Sequence, residues 1–248
     1  MLYISPPFGN YLRYKDAIPI RGTFTWRRRP GLIYHTLRSF RPVRGGWINQ
    51  IGFRNPGIRS ITTFNPHCIY SISVIEPGEW LLLYSHIPDY VNLELNLGCP
   101  NINKDGSPPP GISLPILEKF LKKFPNLIVK TRPEPSPTDI EDMIRIGLKT
   151  VHMSNTIAVK KGGISGTQLK KINLPLIEKT RKIDVLPLIE KAREMDITII
   201  AGGGIYTRED VMDYRNAGAD DFSISTAWIT KPWNVKEIYN EATANRYY

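Results

Sequence analysis

The sequence predicts an α/β fold of the closed (β/α)8 type, a TIM barrel, as a single domain over 1–248 with an irregular or antiparallel insert over the barrel mouth. Three observations carry that expectation. Eight short β-prone runs can be counted, and from the third onward helix-like stretches separate them, which implies a parallel sheet with right-handed crossovers. A chain of 248 residues matches one closed barrel of this kind. Segment 24–66, rich in Arg, Gly and Pro, interrupts the alternation and reads as an excursion over the mouth.

Each element has its own signal. The first two strands are 2–4 and 17–20, with no helix expected between them. The third, 68–74, precedes a helix over 79–86. The fourth, 92–97, alternates apolar and polar residues and leads to a helix over 113–124. That helix places Leu114, Ile116, Leu117, Phe120, Leu121 and Phe124 on one side, with Ser113 or Gly111 as its start signal. After strand five (127–130), the run Ser136-Pro137-Thr138-Asp139 opens a helix that Gly147 stops. Strand six is 150–153 and strand seven 197–201. Thr207 then caps a helix ended by Gly218, strand eight is 221–225, and a last helix covers 234–244. Leu174 to Lys179 recurs as Leu186 to Lys191, a short tandem duplication expected to form two helical pieces joined near Asp184, since Pro187 cannot continue a helix.

Composition narrows the function. The charge of +10, from 33 basic and 23 acidic residues, favours anionic partners such as phosphate-bearing cofactors, acidic metabolites, nucleic acid or an acidic protein face. No apolar stretch reaches spanning length, and the N-terminus lacks the regions of a signal peptide. Two cysteines, Cys68 and Cys99, make no disulfide framework, so a cytoplasmic setting is expected. The four histidines are scattered without ligand spacing, so no metal site is expected. His152, in mid-strand, reads as packed.

Barrels carry their chemistry at the C-terminal ends of the strands. Strand four ends in Asn96-Leu97-Gly98-Cys99-Pro100-Asn101, a thiol between two amides on a turn that Pro100 forces out of the strand. Strand five ends in Lys130 and strand six in Ser154-Asn155-Thr156. Strand seven ends in Gly202-Gly203-Gly204, and strand eight in Ser225-Thr226. Glycine turns expose successive backbone N–H groups to an anion, and the helix after Thr207 would add a favourable N-terminus. A phosphate over the last two strands is the expectation.

These residues resemble the dihydroorotate dehydrogenase family. Glu94 to Asn101 is similar to its ELN-[IL]-SCPN signature, and Ile48 to Gly57 to its LNAIGLQNPG loop. Val129-Lys130, Ser154-Asn155-Thr156 and Gly162 to Gly166 resemble its strand-five lysine, strand-six asparagine and GG-[LI]-SG loop. The segments 199–205, 207–219 and 228–233 look like its IIG-x-GGI, T-x-ED…AGA and NPW regions. The resemblance implies an FMN-binding oxidoreductase of pyrimidine biosynthesis that oxidises dihydroorotate to orotate, hydride passing to the flavin while Cys99 takes a proton. Asn49, Asn96, Asn101 and Asn155 would then hold the substrate. Ser5, Arg21, Lys130, Gly166, Gly203, Gly204, Ser225 and Thr226 would hold FMN. A homodimer is implied, and the run Arg27-Arg28-Arg29 offers a face for an acidic protein partner. The pattern departs at Pro6 and Pro7, at Arg21 in place of lysine, at Gly98 in place of serine, and at Ser225 in place of glycine. Two other readings stay open: a non-catalytic barrel of the same type with a binding or structural role, and a dihydrouridine synthase-like flavoenzyme acting on RNA.

Overall fold

The computed structural model describes residues 1–99, 109–132, 135, 137–153, 156–159, 162–184 and 197–244. In chain order the first elements are β1 (Leu2–Ile4), β2 (Ile18–Phe24), α1 (Leu32–Ser39), β3 (Arg41–Val43), β4 (Gly46–Asn49), β5 (Ile69–Ile72) and α2 (Glu79–His86). Then come β6 (Asn92–Asn96), α3 (Leu114–Lys123), β7 (Ile128–Lys130), α4 (Pro137–Arg145), β8 (Thr150–Met153), β9 (Ile157–Val159) and β10 (Gly162–Gly166). The chain continues with α5 (Thr167–Asp184), β11 (Thr198–Gly202), α6 (Arg208–Asn216), β12 (Asp221–Ile224), α7 (Ala227–Thr230) and α8 (Val235–Thr243). Strands β1, β12, β11, β8, β7, β6, β5 and β2 neighbour one another in that order around a closed barrel, and all their pairings are parallel. All eight expected runs are barrel strands.

Alternation along the strands sorts the two cores. Outward-facing Leu93, Leu95, Val129, Val151 and Ile199 pack under the helices with Trp80, Leu83, Leu117 and Phe120. Inside, Tyr3, Ile20, Ile69, Ile128 and Ile200 form a separate apolar plug. The helix of the strand-four crossover buries Leu117 and Phe120, as its periodicity predicts.

Three boundaries differ from expectation. β2 runs on through Arg21 to Phe24 because β5 supplies a pairing partner, Arg21 opposite Tyr70 and Gly22 opposite Ser71. Arg21 therefore sits within a strand rather than after one. The Gly162–Gly166 segment, expected as a loop, is strand β10. It pairs antiparallel with β4, from Asn49 opposite Gly163 to Gly46 opposite Gly166, in the four-stranded sheet β3-β4-β10-β9. This is the antiparallel insert, and half of its pairing comes from far along the chain. The first copy of the duplication lies inside the continuous helix α5, with Pro175 in its interior, and the second copy lies outside the described residues.

Candidate active site

A cavity of about 710 Å³ opens at the C-terminal ends of the barrel strands, within the range for a ligand of many ring atoms. Its sulfur side is built on β6. Asn96 donates from Nδ2 to Thr23 Oγ1 (3.0 Å) and accepts from the Gly98 N–H at Oδ1 (3.3 Å), while Ser73 Oγ donates to the Asn96 carbonyl (2.7 Å). The turn before Cys99 is thus wired to β2 and β5, and Asn96 and Cys99 both line the cavity. Lys130 lines it from the neighbouring strand, opposite Asn96 on one side and His152 on the other. Burial pushes the Lys130 ammonium pKa below its ordinary value, against the pull of Glu94 and Cys99.

The insert supplies the roof. Asn49 lines the cavity and accepts from the Ile51 N–H at Oδ1 (3.2 Å), with Phe40, Phe53 and Arg54 beside it. Arg29 lies close enough to feel both Arg54 and Cys99. Burial and the like charge of Arg54 lower its pKa, and Glu79 and Cys99 oppose them. Asn55 fixes the base of this roof. It accepts at Oδ1 from the Gly57 and Thr25 N–H groups (2.7 and 3.3 Å) and donates from Nδ2 to Thr25 Oγ1 and the Phe53 carbonyl (3.0 and 2.6 Å).

The opposite end is glycine and hydroxyl. Gly166, Gly203, Gly204, Ser225 and Thr226 all line the cavity. Gly204 and Gly166 meet each other and Gly45: a Cβ on Gly204 would lie 2.8 Å from the Gly166 carbonyl oxygen, and one on Gly166 2.2 Å from that of Gly45. All three have positive φ, which only glycine adopts at no steric cost. The α6 N-terminus contributes less than expected. Its Thr207–Asp210 capping box is closed, with Asp210 Oδ2 accepting from the N–H groups of Tyr206 (2.8 Å) and Thr207 (3.0 Å). Asp210 itself is ion-paired to Lys170 at 2.5 Å. An anion at this end would meet the glycine turn, the Ser225-Thr226 hydroxyls and the start of α7.

Proline and arginine departures line the cavity without filling it. Pro6, Pro7 and Arg21 are all wall residues. Arg21 is drawn aside, donating from Nη1 to Tyr70 Oη (3.3 Å) with its guanidinium over that ring at 5.4 Å. Ser5 lines the floor. Asn101 and Asn155 lie outside the described residues. Every other expected site residue faces this one cavity. Sequence reading missed Arg54, Thr23 and Asn10. The last accepts from the Gly22 N–H at Oδ1 (3.0 Å) and donates to the Pro7 carbonyl (3.0 Å), tying the loop after β1 to β2. Asn10 had no motif around it. Arg54 stood within a quoted motif but was given no role. Among the described residues no three His, Cys, Asp or Glu side chains gather as metal ligands.

A cavity with glycine turns and hydroxyls at one end, a buried cation at its centre and a sulfur on its side suits a planar ring system carrying an anionic tail. The profile of the family "Dihydroorotate dehydrogenase" matches residues 16–245. The catalytic subunit of dihydroorotate dehydrogenase B (NAD(+)) from Staphylococcus carnosus is 28% identical over 228 residues, covering 79% of this chain and 70% of that protein. The same subunit from Oceanobacillus iheyensis is 29% identical over 228 residues, covering 79% and 71%. Among solved structures, Eimeria tenella dihydroorotate dehydrogenase in complex with ferulenol is similar in fold, with TM-score 0.66 and 16% identity over 98% of this chain and 80% of that one.

Proposed function

This chain belongs to the dihydroorotate dehydrogenase family, and from that premise we propose that it oxidises dihydroorotate to orotate, with FMN as its flavin and Cys99 as the base. The reading rests above all on one observation: the thiol, amides, buried lysine and glycine turns, drawn from distant segments, line a single cavity. When bound, FMN supplies the oxidising power, taking up the hydride that leaves the substrate ring. Cys99 would remove the proton from the adjacent carbon, with two cations, Lys130 and Arg29, within electrostatic reach of its side chain. Asn49 and Asn96, with Asn101 and Asn155, hold the polar edge of the substrate, where unpaired amides would reject a ligand lacking matching groups. Lys130, Arg21, Ser5 and Gly166 would hold the flavin ring. Gly203, Gly204, Ser225 and Thr226 receive its phosphate.

An acidic protein partner is assigned to the face at the run Arg27-Arg28-Arg29, of which Arg27 and Arg28 are exposed. The stretch 17–75 holds nine arginines and neither lysine, aspartate nor glutamate, a concentration of positive charge that favours an acidic face. A cytoplasmic homodimer is the proposed setting; no helix among the described residues is long and apolar enough to cross a membrane. The RNA-directed reading has only the basic charge and Gly98 in its favour.

Anaerobic mixing of the FMN-loaded protein with dihydroorotate tests the proposal. Flavin absorbance should bleach, and Cys99→Ala should slow bleaching about 10²–10⁴-fold, the usual worth of a general base. Protein that cannot be loaded with FMN would sink the assignment, as would a Cys99→Ala variant that bleaches at the wild-type rate.

A further inference from the structure

A polar layer lies beneath the cavity floor. Barrel interiors of this class are filled by bulky branched apolar side chains, and the plug of Tyr3, Ile20, Ile69, Ile128 and Ile200 follows that rule. The next step toward the mouth does not. Glu94 on β6, His152 on β8 and Ser223 on β12 come from alternate strands of the barrel and are 0%, 0% and 1% exposed. His152 Nδ1 lies 2.6 Å from Glu94 Oε2, and His152 Nε2 lies 2.9 Å from Ser223 Oγ. Ser223 Oγ is in turn 2.5 Å from Ser5 Oγ, and both serines line the cavity. A continuous chain of hydrogen bonds therefore runs from a buried carboxylate to the ligand space. The chemistry proposed above uses neither Glu94 nor His152. A buried carboxylate hydrogen-bonded to an imidazole is a costly substitute for the valine or isoleucine that would otherwise fill the layer.

We propose that Glu94 and His152 are positioning residues that make the Ser5 hydroxyl a hydrogen-bond acceptor at the cavity floor, selecting a ligand that presents a ring N–H there. Each link can hold one hydrogen, so the direction follows from its buried end. Ionised Glu94 only accepts, and His152 therefore carries its hydrogen on Nδ1. The lone pair on Nε2 of the neutral ring accepts from the Ser223 O–H. Ser223 Oγ then accepts from Ser5, whose remaining lone pairs face the cavity. Charge balance keeps the ring neutral. The charged groups facing it are Glu94 from β6 and Lys130 from β7, which already cancel, and another proton would leave a net charge in a dry layer. Burial and Lys130 accordingly lower the His152 pKa, with Glu94 opposing. The ligand class follows from the flavin reading, on which this inference rests: an oxidised isoalloxazine carries a single ring N–H, at N3.

The test compares binding of riboflavin and 3-methylriboflavin, in which that N–H is replaced by N–CH₃, to the full-length apoprotein near neutral pH. Ser223→Ala breaks the chain while leaving the Glu94–His152 pair and Ser5 in place, so the Ser5 hydroxyl becomes free to turn its hydrogen toward the ligand. Wild type should prefer the N–H form at least about tenfold, the worth of one well-placed hydrogen bond. Ser223→Ala should narrow that preference to about threefold or less. Imidazole ¹⁵N shifts should report a neutral His152 with hydrogen on Nδ1 in both proteins. An unchanged preference in Ser223→Ala, no preference in wild type, or a hydrogen on Nε2 would each overturn the proposal while leaving the flavin assignment standing. A wild type that binds neither riboflavin nor FMN would instead bring down the functional reading, and the ligand assigned here with it.

Discussion

Asn55→Ala should loosen the roof of the cavity without unfolding the barrel. Asn55 is 9% exposed and engages Gly57, Thr25 and Phe53 through both ends of its amide. Three of its four hydrogen bonds are 3.0 Å or shorter, and each contributes about 1 kcal/mol net. The fourth, at 3.3 Å to the Thr25 N–H, adds little. Alanine replaces none of them and leaves the Gly57 N–H and Phe53 carbonyl without their partner, so a loss of about 3 kcal/mol is expected. Locally that is roughly a 150-fold rise in the opening equilibrium. Hydrogen exchange at the Gly57 and Thr25 amides reads it directly. Asn65→Ala serves as the control, because its Oδ1 accepts only an exposed N–H from His67 (2.8 Å). Protection within about fivefold of wild type in Asn55→Ala would refute the claim that this amide holds the insert to β2.

The three-glycine contact predicts that Gly166→Ala weakens FMN binding at least about tenfold, because the new Cβ starts 2.2 Å from the Gly45 carbonyl and at a φ of +147°. Fluorescence titration with FMN checks this, and unchanged affinity would deny that the contact shapes the cavity wall. Burial alone would raise the Glu241 pKa, but the hydrogen bonds and charges of Arg208 and Arg215 hold it below the usual carboxylate value. The stabilisation is therefore present above the ordinary carboxylate pKa and lost as pH falls through the lowered one. Arg215→Met should cost about 0.5–1 kcal/mol near neutral pH and progressively less in acid, read from urea midpoints at several pH values. An equal loss at every pH would count against the pairing.

Periodicity made the barrel legible. Apolar positions in runs such as Leu93, Leu95 and Val129 must face helices, and helical spacing at Leu117 and Phe120 says which side of α3 turns inward. Residues at strand ends were legible as neighbours around one cavity for the same reason: the strand fixes the end, and the end fixes the neighbourhood. What stayed hidden depends on register between distant segments. The β4–β10 pairing joins two glycine-containing stretches that each read locally as loops. Alternation sends Glu94, His152 and Ser223 into the barrel interior, but only the stagger between strands brings them to one level. His152 was read as merely packed, since no local pattern announces a carboxylate two strands away. Asn10 was invisible because its partners are backbone groups, one in its own loop at Pro7 and one on β2 at Gly22.

The departures from the family pattern make sense together rather than one by one. Proline at positions 6 and 7 removes backbone donors from the loop after β1, yet the Pro6 carbonyl is met by the Ser225 hydroxyl at 3.2 Å, from the position where the family has glycine. A hydroxyl at 225 thus couples the two loops that a glycine there would leave untied through side chains. The longer cation at Arg21 would reach across the cavity if it extended freely. Its planar guanidinium instead lies on the Tyr70 ring, which lysine cannot match by stacking, and the Tyr70 hydroxyl is itself held by the Asn65 N–H at 2.8 Å. Each bulky replacement at the mouth has a partner that draws it to the wall.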